Sequence, residues 1–549
     1  MITRRNFINT VGLGVLSLKT SLLHATTISE KPTRPDIVFI LADDMGWSDI
    51  APYGGEIATP NLDRLAGNGI RFTQFHNTSK CFPSRACLLT GLYAQQCGMD
   101  KKPGKFKNAV TLGDVLRSAG YRTLATGKHH STQNLFDIGF DRYFGLRDGA
   151  CNYFNPGKQR PGEPSPASKS PAGTRKRAWC IDKKTFTPYT PKEKDFYTTD
   201  YFTKYALSYL EEYKDEKKPF FLYLAYNAPH DPLQAWPEDI KKYETRYIDG
   251  WEKLRKARYK RQQQLGIIDE TMPLSKPSYR QWDNLNEAQR KIEAKKMAVY
   301  AAMIDRMDQN IGKILAKLES LGKLENTLIL FASDNGCSPE VPIPKNSSGE
   351  IGSLSCWSSL GPDWANTSNT PYRYYKNDSY EGGICTPFIA HWPKGIKNAG
   401  RISHHVGHFI DIMATFIDLS GAQYPDKFRG ENIIPYEGES LLPIFKDREK
   451  AREKPLFWQW RFGKAVRKNK WKLVSRKENG KEHWSLFDME KDKTETSDLS
   501  SEYPETVAAL KSLHKNWRKR CASERVSNRV KPIKTPAANR KPDVLKNKK

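Results

Sequence analysis

Three short apolar segments, each running directly into ionisable or amide side chains, constrain the fold of this chain more than any other feature. The first is uninterruptedly apolar, which is typical of a strand buried on both faces of a sheet. In α/β sheets, ligands bind outside the carboxyl ends of the strands, so the polar residues that follow should converge in one crevice. The segments are residues 37–42 before Asp43 and Asp44, residues 220–226 before Asn227 and His230, and residues 327–333 before Asp334 and Asn335.

The length of the chain predicts more than one structural unit. At 549 residues it exceeds what one hydrophobic core usually organises, so we expect a main domain and a smaller one. An amphipathic helix is predicted over residues 297–321, because Ile304, Ile311 and Leu318 recur at helical spacing. After Pro443 the sequence changes to short strand-like runs, closed by a helix over residues 505–520. Length and composition together favour a large enzyme over a small binding module.

Four further segments carry residues suited to chemistry. Cys81-Phe82-Pro83-Ser84-Arg85, taken alone, is also consistent with a buried cysteine before a helix that starts at proline. The others are Gly127-Lys128-His129-His130, Asn227-Ala228-Pro229-His230, and Lys376 ahead of Tyr380-Glu381-Gly382-Gly383. With the acidic pairs above, these segments span nearly the whole chain. Their order and spacing resemble those of type I sulfatases, which are members of the alkaline phosphatase superfamily.

The resemblance implies a nucleophile that no encoded side chain supplies. In that family a formylglycine-generating maturation enzyme reads Cys-x-Pro-x-Arg and would convert Cys81 to formylglycine (3-oxoalanine). The hydrated aldehyde has two geminal hydroxyls, of which one receives the sulfuryl group and the other then expels sulfate. The expected activity is hydrolysis of sulfate esters with release of inorganic sulfate, and the expected partners are the maturation enzyme and the substrate.

The resemblance also implies one Ca²⁺ ion. Its ligands would be Asp43, Asp44, Asp334 and Asn335, together with residue 81, the modified Cys81. The four oxygen-bearing side chains form a hard set that suits Ca²⁺ and argues against zinc. The ion would polarise the sulfate and ease deprotonation of the diol, and Asp334 could accept that proton.

The remaining motif residues receive roles from the same resemblance. Arg85 and Lys128 would hold the nucleophile and balance charge around it. His230 and Lys376 would contact the sulfate and the bridging oxygen, stabilising or protonating the departing alcohol. His130 would be the base that deprotonates the second hydroxyl.

Three positions depart from the family pattern. Phe82 replaces a small residue, Lys80 stands where Arg is common, and His129 occupies a position that is typically Trp. Adjacent histidines in an extended segment point in opposite directions, so His129 competes with His130 for the role of base. The Lys-x-His spacing favours His130.

The fold class implied by the resemblance is α/β, an alkaline-phosphatase-like central mixed sheet flanked by helices, with a small C-terminal antiparallel α+β domain. We expect a catalytic domain over residues 33–445 and the small domain over 446–522. Residues 155–195 should form a surface insertion, because their first half is rich in Pro, Lys and Ser without apolar periodicity. Residues 523–549 should form a basic disordered tail.

The formal charge of +27 favours polyanionic partners. Nucleic acid is not expected among them, because no helix-turn-helix, zinc-finger or RNP-like pattern supports base readout. The basic balance and the aromatic residues near the predicted site, such as Tyr153 and Trp236, fit a sulfated carbohydrate substrate, with aryl sulfates as model substrates.

The N-terminus resembles an export signal. Arg4 and Arg5 precede a weak apolar stretch that Lys19 interrupts, so residues 1–25 are expected to be a Tat-type signal peptide. The stretch is too short for a stable membrane anchor. We therefore expect export by the bacterial Tat translocase and a periplasmic or secreted protein.

Cysteine and histidine pairs outside these motifs are open to two interpretations each. Nine cysteines leave at least one unpaired, and Cys81 is the natural candidate. Cys151 and Cys180 bracket part of the insertion, where a disulfide is as consistent with the sequence as two thiols that never meet. His404 and His408 have helical spacing, and a solvated helix start is favoured over a metal site.

Two alternatives to a sulfatase remain open from the sequence. A phosphate or phosphonate monoester hydrolase of the same superfamily would use the same formylglycine, because sulfate and phosphate differ mainly in charge. Two-metal phosphatases need additional ligands that the sequence does not show. The second alternative is an unmatured protein that binds sulfated polymers without turnover.

Overall fold

The computed structural model describes residues 34–168, 177–344 and 346–527. The signal peptide expected over residues 1–25 lies outside the described residues. The described residues belong to one compact unit that contains two main sheets.

A mixed sheet of ten strands forms the centre of the described chain. Its strands are β1 (Asp36–Asp43), β2 (Ile70–His76), β3 (Arg122–Gly127), β4 (Arg142–Leu146), β5 (Trp179–Ile181), β6 (Lys184–Phe186), β7 (Phe220–Pro229), β8 (Thr327–Ser333), β9 (Cys385–His391) and β10 (Arg401–His408). The spatial order is β10-β2-β9-β8-β1-β7-β3-β4-β5-β6. Strands β8, β1, β7, β3 and β4 run parallel, whereas β9 is antiparallel to both its neighbours. The ends of β8, β1, β7 and β3 therefore meet at one edge, as the sequence predicts.

Helices cover both faces of this sheet. Ile37, Phe39 and Leu41 of β1 join one hydrophobic cluster, and Val38 and Ile40 join the other, because successive side chains of a strand alternate between faces. None of the helices in the described part of the chain is long and apolar enough to cross a membrane. The α-helices are α1 (Pro60–Gly67), α2 (Cys81–Thr90), α3 (Leu112–Ser118), α4 (Thr198–Glu212), α5 (Pro237–Lys241), α6 (Gly250–Gln264), α7 (Glu287–Ser320), α8 (Pro362–Ser368), α9 (Glu381–Ile384), α10 (Asp411–Ser420), α11 (Leu442–Phe445) and α12 (Pro504–Ser527).

Helix α7 starts ten residues before the position that its apolar spacing predicts. Its first turns are polar and lack an apolar stripe, so periodicity gives no signal there. The start is fixed by a capping box, in which Asn286 Oδ1 accepts from the backbone N–H of Gln289 and the Gln289 side chain accepts from the backbone N–H of Asn286.

Part of the expected surface insertion belongs to the central sheet. Strands β5 and β6 extend the sheet beyond β4, and the side chains of Trp179 and Cys180 are fully buried. Trp179 stacks on Tyr189 and Phe202. Aromatic packing therefore stabilises this segment, although its sequence shows no apolar periodicity. Cys151 and Cys180 are separate buried thiols, as are the other cysteines.

The helix start expected around His404 is wrong, because residues 401–408 form strand β10 at the edge of the sheet. The two histidines also have separate partners. His404 Nδ1 lies 2.7 Å from Thr73 Oγ1, whereas His408 Nδ1 accepts from the backbone N–H of Ile410. An irregularity in the pairing between Ser403 and Val406 breaks the strand alternation that would have identified β10.

A four-stranded antiparallel sheet follows in the last part of the chain. Its strands are β13 (Leu456–Trp460), β14 (Gly463–Lys468), β15 (Trp471–Glu478) and β16 (Lys481–Asp488), after a small ribbon of β11 (Lys427–Phe428) and β12 (Glu431–Asn432). Helix α12 closes the unit and continues to Ser527, so the first residues of the expected tail are helical. Arg525 in that stretch pairs with Asp100 at 3.0 Å. Residues 528–549 lie outside the described chain. The central mixed sheet flanked by helices and the small C-terminal antiparallel sheet confirm the predicted fold class.

A buried charge cluster joins the two sheets. Lys472 of β15 is fully buried and donates at 2.6 Å to both Glu381 and Glu495. Glu381 also lies 3.0 Å from His76 Nε2, at the end of β2. These contacts tie the small sheet to the segment between Lys376 and β9, so the two sheets act as one packed unit.

We expect Lys472→Met to lower the free energy of unfolding by about 3–5 kcal/mol, because it leaves two buried carboxylates without their cation. Lys464→Met is the matched control, since Lys464 and its partner Glu482 are both partly exposed and their pair should contribute about 0–1 kcal/mol. Urea denaturation of both variants checks the difference. Equal losses would contradict the role assigned to the buried cluster.

Candidate active site

The paired carboxylates at the end of β1 meet the Asp-Asn pair at the end of β8. Asp44 follows the strand with a positive φ of 64°, which turns the chain sharply after Asp43. Its backbone N–H donates to Asp334 Oδ1 at 3.3 Å, and Asn335 Nδ2 donates to Asp44 Oδ1 at 2.6 Å. All four side chains are buried. The expected convergence of these residues is therefore observed in the structure.

Cys81 begins helix α2 directly beside this group. Lys80 before it is extended, so the helix starts at Cys81, which is only 2% exposed. Arg85 lies one turn further on the same face of the helix. Its Nε donates to Asp334 Oδ2 at 2.8 Å, and its Nη1 donates to the carbonyl of Lys128 at 2.6 Å. Arg85 thus links the start of α2 to the ends of β8 and β3.

Two buried lysines neutralise the first carboxylate pair. Lys128, just after β3, forms an ion pair with Asp43. Lys376 Nζ donates to both Oδ1 and Oδ2 of Asp44, at 2.6 and 2.7 Å. Both lysines are at most 1% exposed. Burying such charges requires partners, and each ammonium has a carboxylate at this site.

His230 approaches the same carboxylates from the end of β7. Its Nε2 lies 3.5 Å from Asp44 Oδ2, and its Nδ1 lies 2.7 Å from Asp231 Oδ1. Asp231 in turn accepts from the Ser359 hydroxyl at 2.7 Å and from Trp357 Nε1 at 3.2 Å. The backbone carbonyl of Asp231 also lies 2.6 Å from Nδ1, so the imidazole is oriented by Asp231 through both its carbonyl and its fixed carboxylate.

The adjacent histidines have different surroundings. The ring of His130 packs against Phe82 and lies over Gly149, where a Cβ would come within 2.6 Å of Nε2. Burial holds the pKa of His130 well below its usual value, and the charges of Lys128 and Arg85 add to the effect. Burial likewise lowers the pKa of His129 to about 3, but its ring packs on Phe106 instead. These shifts favour the neutral form of both imidazoles.

Electrostatics couple Cys81 to this cluster. Burial raises the pKa of the Cys81 thiol, and Lys128 and Lys376 oppose that rise. Burial, with Asp43 nearby, raises the pKa of Asp334 to about 6. Burial alone would also raise the pKa of Asp44, but Lys376 above all holds it well below the usual range.

Several oxygens in the cluster are available to a cation. Asp43 Oδ1 and Asn335 Oδ1 are buried and make no hydrogen bond within the described chain. Asp43, Asp44 and His230 also offer ligand atoms within 4.8 Å of one another. Unpaired buried acceptors of this kind are costly, so the arrangement favours a ligand with positive charge.

Glu340 is a site residue that was not predicted from the sequence. Its carboxylate accepts from Lys80 Nζ at 2.6 Å and from Asn377 Nδ2 at 3.2 Å, and it borders a small cavity beside Asp44 and His230. Lys80 and Lys376 hold the pKa of Glu340 at about 2 against the effect of burial. It lies in an irregular stretch between β8 and α8, where neither periodicity nor a motif marks a site residue.

Comparison with known proteins agrees with this geometry. Residues 35–422 match the sulfatase family, and residues 372–522 match the family described as N-sulphoglucosamine sulphohydrolase, C-terminal. An uncharacterized sulfatase of Schizosaccharomyces pombe is 33% identical over 87% of this chain and 92% of its own length. An arylsulfatase of Klebsiella aerogenes is 33% identical over 77% of this chain and 94% of its own length.

The fold is shared with solved structures. The crystal structure of Ps i-CgsB in complex with k-i-k-neocarrahexaose has a TM-score of 0.64 and 26% identity, and the match covers 88% of this chain and 93% of that one. The matched families and relatives span both the central sheet and the C-terminal sheet. The chain therefore belongs to the sulfatase family and is a sulfuric ester hydrolase.

Proposed function

We propose that this enzyme removes sulfate from sulfated carbohydrates. It would use one Ca²⁺ ion and a formylglycine that is formed from Cys81. One observation carries the proposal: the cysteine of a maturation motif begins α2 among the buried lysines and carboxylates at the ends of β1, β3 and β8. A sulfate seated there would meet cations on more than one side, in a setting shielded from water where such contacts are strong.

Arg85 and Lys128 are the residues that would hold the nucleophile. When formed, formylglycine supplies a geminal diol at residue 81. Arg85 donates both to Asp334 and to the carbonyl of Lys128, contacts that would hold the start of α2 in position. Asp334, whose pKa burial raises to about 6, is proposed to accept the proton of the nucleophile.

Asp43, Asp44, Asp334 and Asn335 are the residues that would hold Ca²⁺. Two of their oxygens are buried without a hydrogen-bond partner in the described chain, and the set consists of the hard oxygens that Ca²⁺ prefers. His230 lies within reach of the same position, but its Nδ1 contact with Asp231 suits a proton donor. Bound there, Ca²⁺ would polarise the sulfate.

His230 and Lys376 are proposed to serve the departing oxygen. Asp231 would hold the proton on His230 Nδ1 and stabilise the imidazolium, while Nε2 faces the cluster. Burial lowers the pKa of Lys376, but Asp44 outweighs it and raises that pKa well above its usual value, so the amine stays charged. His130, whose ring lies between Phe82 and Gly149 and whose pKa is lowered in part by the charge of Lys128, is proposed as the base that completes turnover.

A carbohydrate substrate is supported by a cavity that is bordered by Ala235, five residues along the chain from His230, and that none of the proposed site residues lines. Chain residues that follow His230 border a cavity of about 560 Å³, lined by Phe154 and Trp236 with Arg160 and Lys241. Aromatic faces with nearby cations suit a sugar that carries sulfate. The similar Ps i-CgsB structure holds a neocarrahexaose, which is consistent with a sugar ligand.

Release of inorganic sulfate from 4-nitrophenyl sulfate and from a panel of defined sulfated sugars tests this proposal. We expect turnover of the aryl sulfate and a higher kcat/KM for at least one sugar sulfate. Faster turnover of phenyl phosphate or phenyl phosphonate would favour the monoester hydrolase alternative. Binding of sulfated polymers without any turnover would favour the unmatured binder. Tat export, periplasmic or secreted localisation and the maturation enzyme remain predictions from the sequence.

The leaving-group assignment predicts a difference between substrate classes. Sugar sulfates release alkoxides that need protonation, whereas nitrophenyl sulfates release acidic phenols. His230→Ala and Lys376→Ala should therefore lower kcat/KM by about 10²–10³ on sugar sulfates and by much less on nitrophenyl sulfate. His130→Ala is the control, because it should lower kcat alike for both classes. Equal losses on both substrates for the His230 and Lys376 variants would remove their assignment as donors.

A further inference from the structure

A second large cavity lies where the edge strand β10 meets the C-terminal sheet. Its volume is about 630 Å³, within the range typical of ligand sites. Its walls come from β2, β10, the segment before β13, the turn between β14 and β15, and the residues after β16. None of the residues assigned to the sulfatase reaction lines it.

This cavity is well separated from the catalytic group. Strand β10 is four strands away from β1 in the central sheet, since β2, β9 and β8 lie between them. At about 4.8 Å per strand the separation is roughly 19 Å. A ligand in this cavity would thus leave the reaction centre accessible to the same or another molecule.

Cations outnumber acids in the lining. The lining contains six cationic side chains and two carboxylates. Three of the six pair with acids: Arg452 with Asp411, Lys450 with Glu453 and Lys470 with Asp488. The other three have no carboxylate within salt-bridge distance in the described chain, and they are Lys454, Arg467 and Lys493.

Arg467 is a buried cation with unused donors. It is 6% exposed, and one nitrogen, Nη2, donates to Gln74 Oε1 at 2.7 Å. Its Nε and Nη1 are buried without a hydrogen-bond partner in the described chain. The nearby carboxylates of Glu381 and Glu495 already accept from Lys472. Unsatisfied donors on a buried guanidinium are costly, and an oxyanion is the ligand that would satisfy them.

Lys493 adds a second charge beside Arg467. Burial lowers the pKa of Lys493, and the guanidinium of Arg467 lowers it further. Two cations that repel each other in a partly buried cavity would both be stabilised by an anion between them. The lining holds no Phe, Tyr or Trp ring on which a base could stack, and a concave cavity does not fit the exposed phosphate backbone of a duplex.

We propose that this cavity binds a sulfated unit of a glycan chain, as a second site that retains the polymer while the catalytic site works on it. The cationic side chains of Arg467, Lys454 and Lys493 would recognise the ligand by binding its oxyanion. Naming a glycan as the carrier of that oxyanion rests on the proposed carbohydrate sulfatase function.

The test measures binding in a Cys81→Ala background, where no substrate is turned over. Lys454→Gln/Lys493→Gln removes two cavity charges, and Lys256→Gln/Lys260→Gln on α6 is the matched control. The probes are a size-defined dextran sulfate, unsulfated dextran, inorganic sulfate and a DNA duplex of similar charge. We expect Kd for dextran sulfate to rise by about ten-fold in the cavity variant only, with no binding of unsulfated dextran.

An equal Kd for dextran sulfate in both double variants would overturn the proposal. Binding of inorganic sulfate or DNA through the cavity as tight as that of dextran sulfate would overturn the glycan assignment. With Cys81 intact, both double variants should turn over 4-nitrophenyl sulfate as the wild type does. If the wild type releases no sulfate at all, the proposed function fails, whereas the binding comparison still decides whether the cavity holds an oxyanion.

Discussion

Replacement of Cys81 by alanine is expected to abolish sulfate release while leaving the fold intact. The thiol is the only part of the site that maturation would turn into a nucleophile, and alanine offers no oxygen in its place. Cys81 starts α2 without contributing a side-chain cap, so its loss should not unravel the helix. The measurement is multiple-turnover release of sulfate from an aryl sulfate and a sugar sulfate, with thermal unfolding as the check on folding.

Cys81→Ser provides the matched comparison. Serine has one hydroxyl, so it could be sulfated once but has no second hydroxyl to expel the sulfate. In a host whose maturation enzyme accepts only cysteine, this variant should be nearly as inactive as Cys81→Ala. Substantial multiple-turnover activity in Cys81→Ala would refute the proposed nucleophile.

Removal of the metal is expected to have an effect of similar size. Chelation of Ca²⁺, or Asp334→Ala, should lower turnover by orders of magnitude, because in the proposed mechanism the ion would polarise the sulfate and Asp334 would take the proton of the nucleophile. Asp334→Ala also leaves Arg85 buried without its carboxylate, which alone can cost about 3–5 kcal/mol of stability.

Asp334→Asn separates these effects, because the amide oxygen still accepts from Arg85 but carries no charge for the cation. Elemental analysis of the native enzyme should find bound Ca²⁺, with less in both variants. Full activity in thoroughly metal-stripped protein, with no Ca²⁺ in the native enzyme, would contradict the assignment.

The sequence predicted the parts of the site that are tied to strand ends. Asp43 follows an uninterrupted apolar run and Asp334 follows a largely apolar one, and parallel neighbours must end at the same edge of the sheet. The spacing from Cys81 to Arg85 places both on one helical face. Local pattern and topology were sufficient for these residues.

The sequence could not predict features that depend on packing between distant segments. Glu340 reaches Lys80 across 260 residues of chain from an irregular stretch with no motif. Residues 179–181 form a strand, second from the edge of the central sheet, because aromatic rings pack around Trp179. Strand β10 lacks a clear alternating pattern because its pairing is irregular between Ser403 and Val406. In each case tertiary contacts, which leave no periodic signal, decide the structure.

The mass of the peptide that contains residue 81 tests the central claim most directly. The protein should be produced with a formylglycine-generating enzyme and digested, and the peptide should be compared with its Cys81→Ala counterpart. We predict a mass lower than that of the encoded cysteine peptide by the difference between thiol and aldehyde, with reactivity toward a carbonyl reagent. An unmodified cysteine in protein that hydrolyses sulfate esters at full rate would contradict the account.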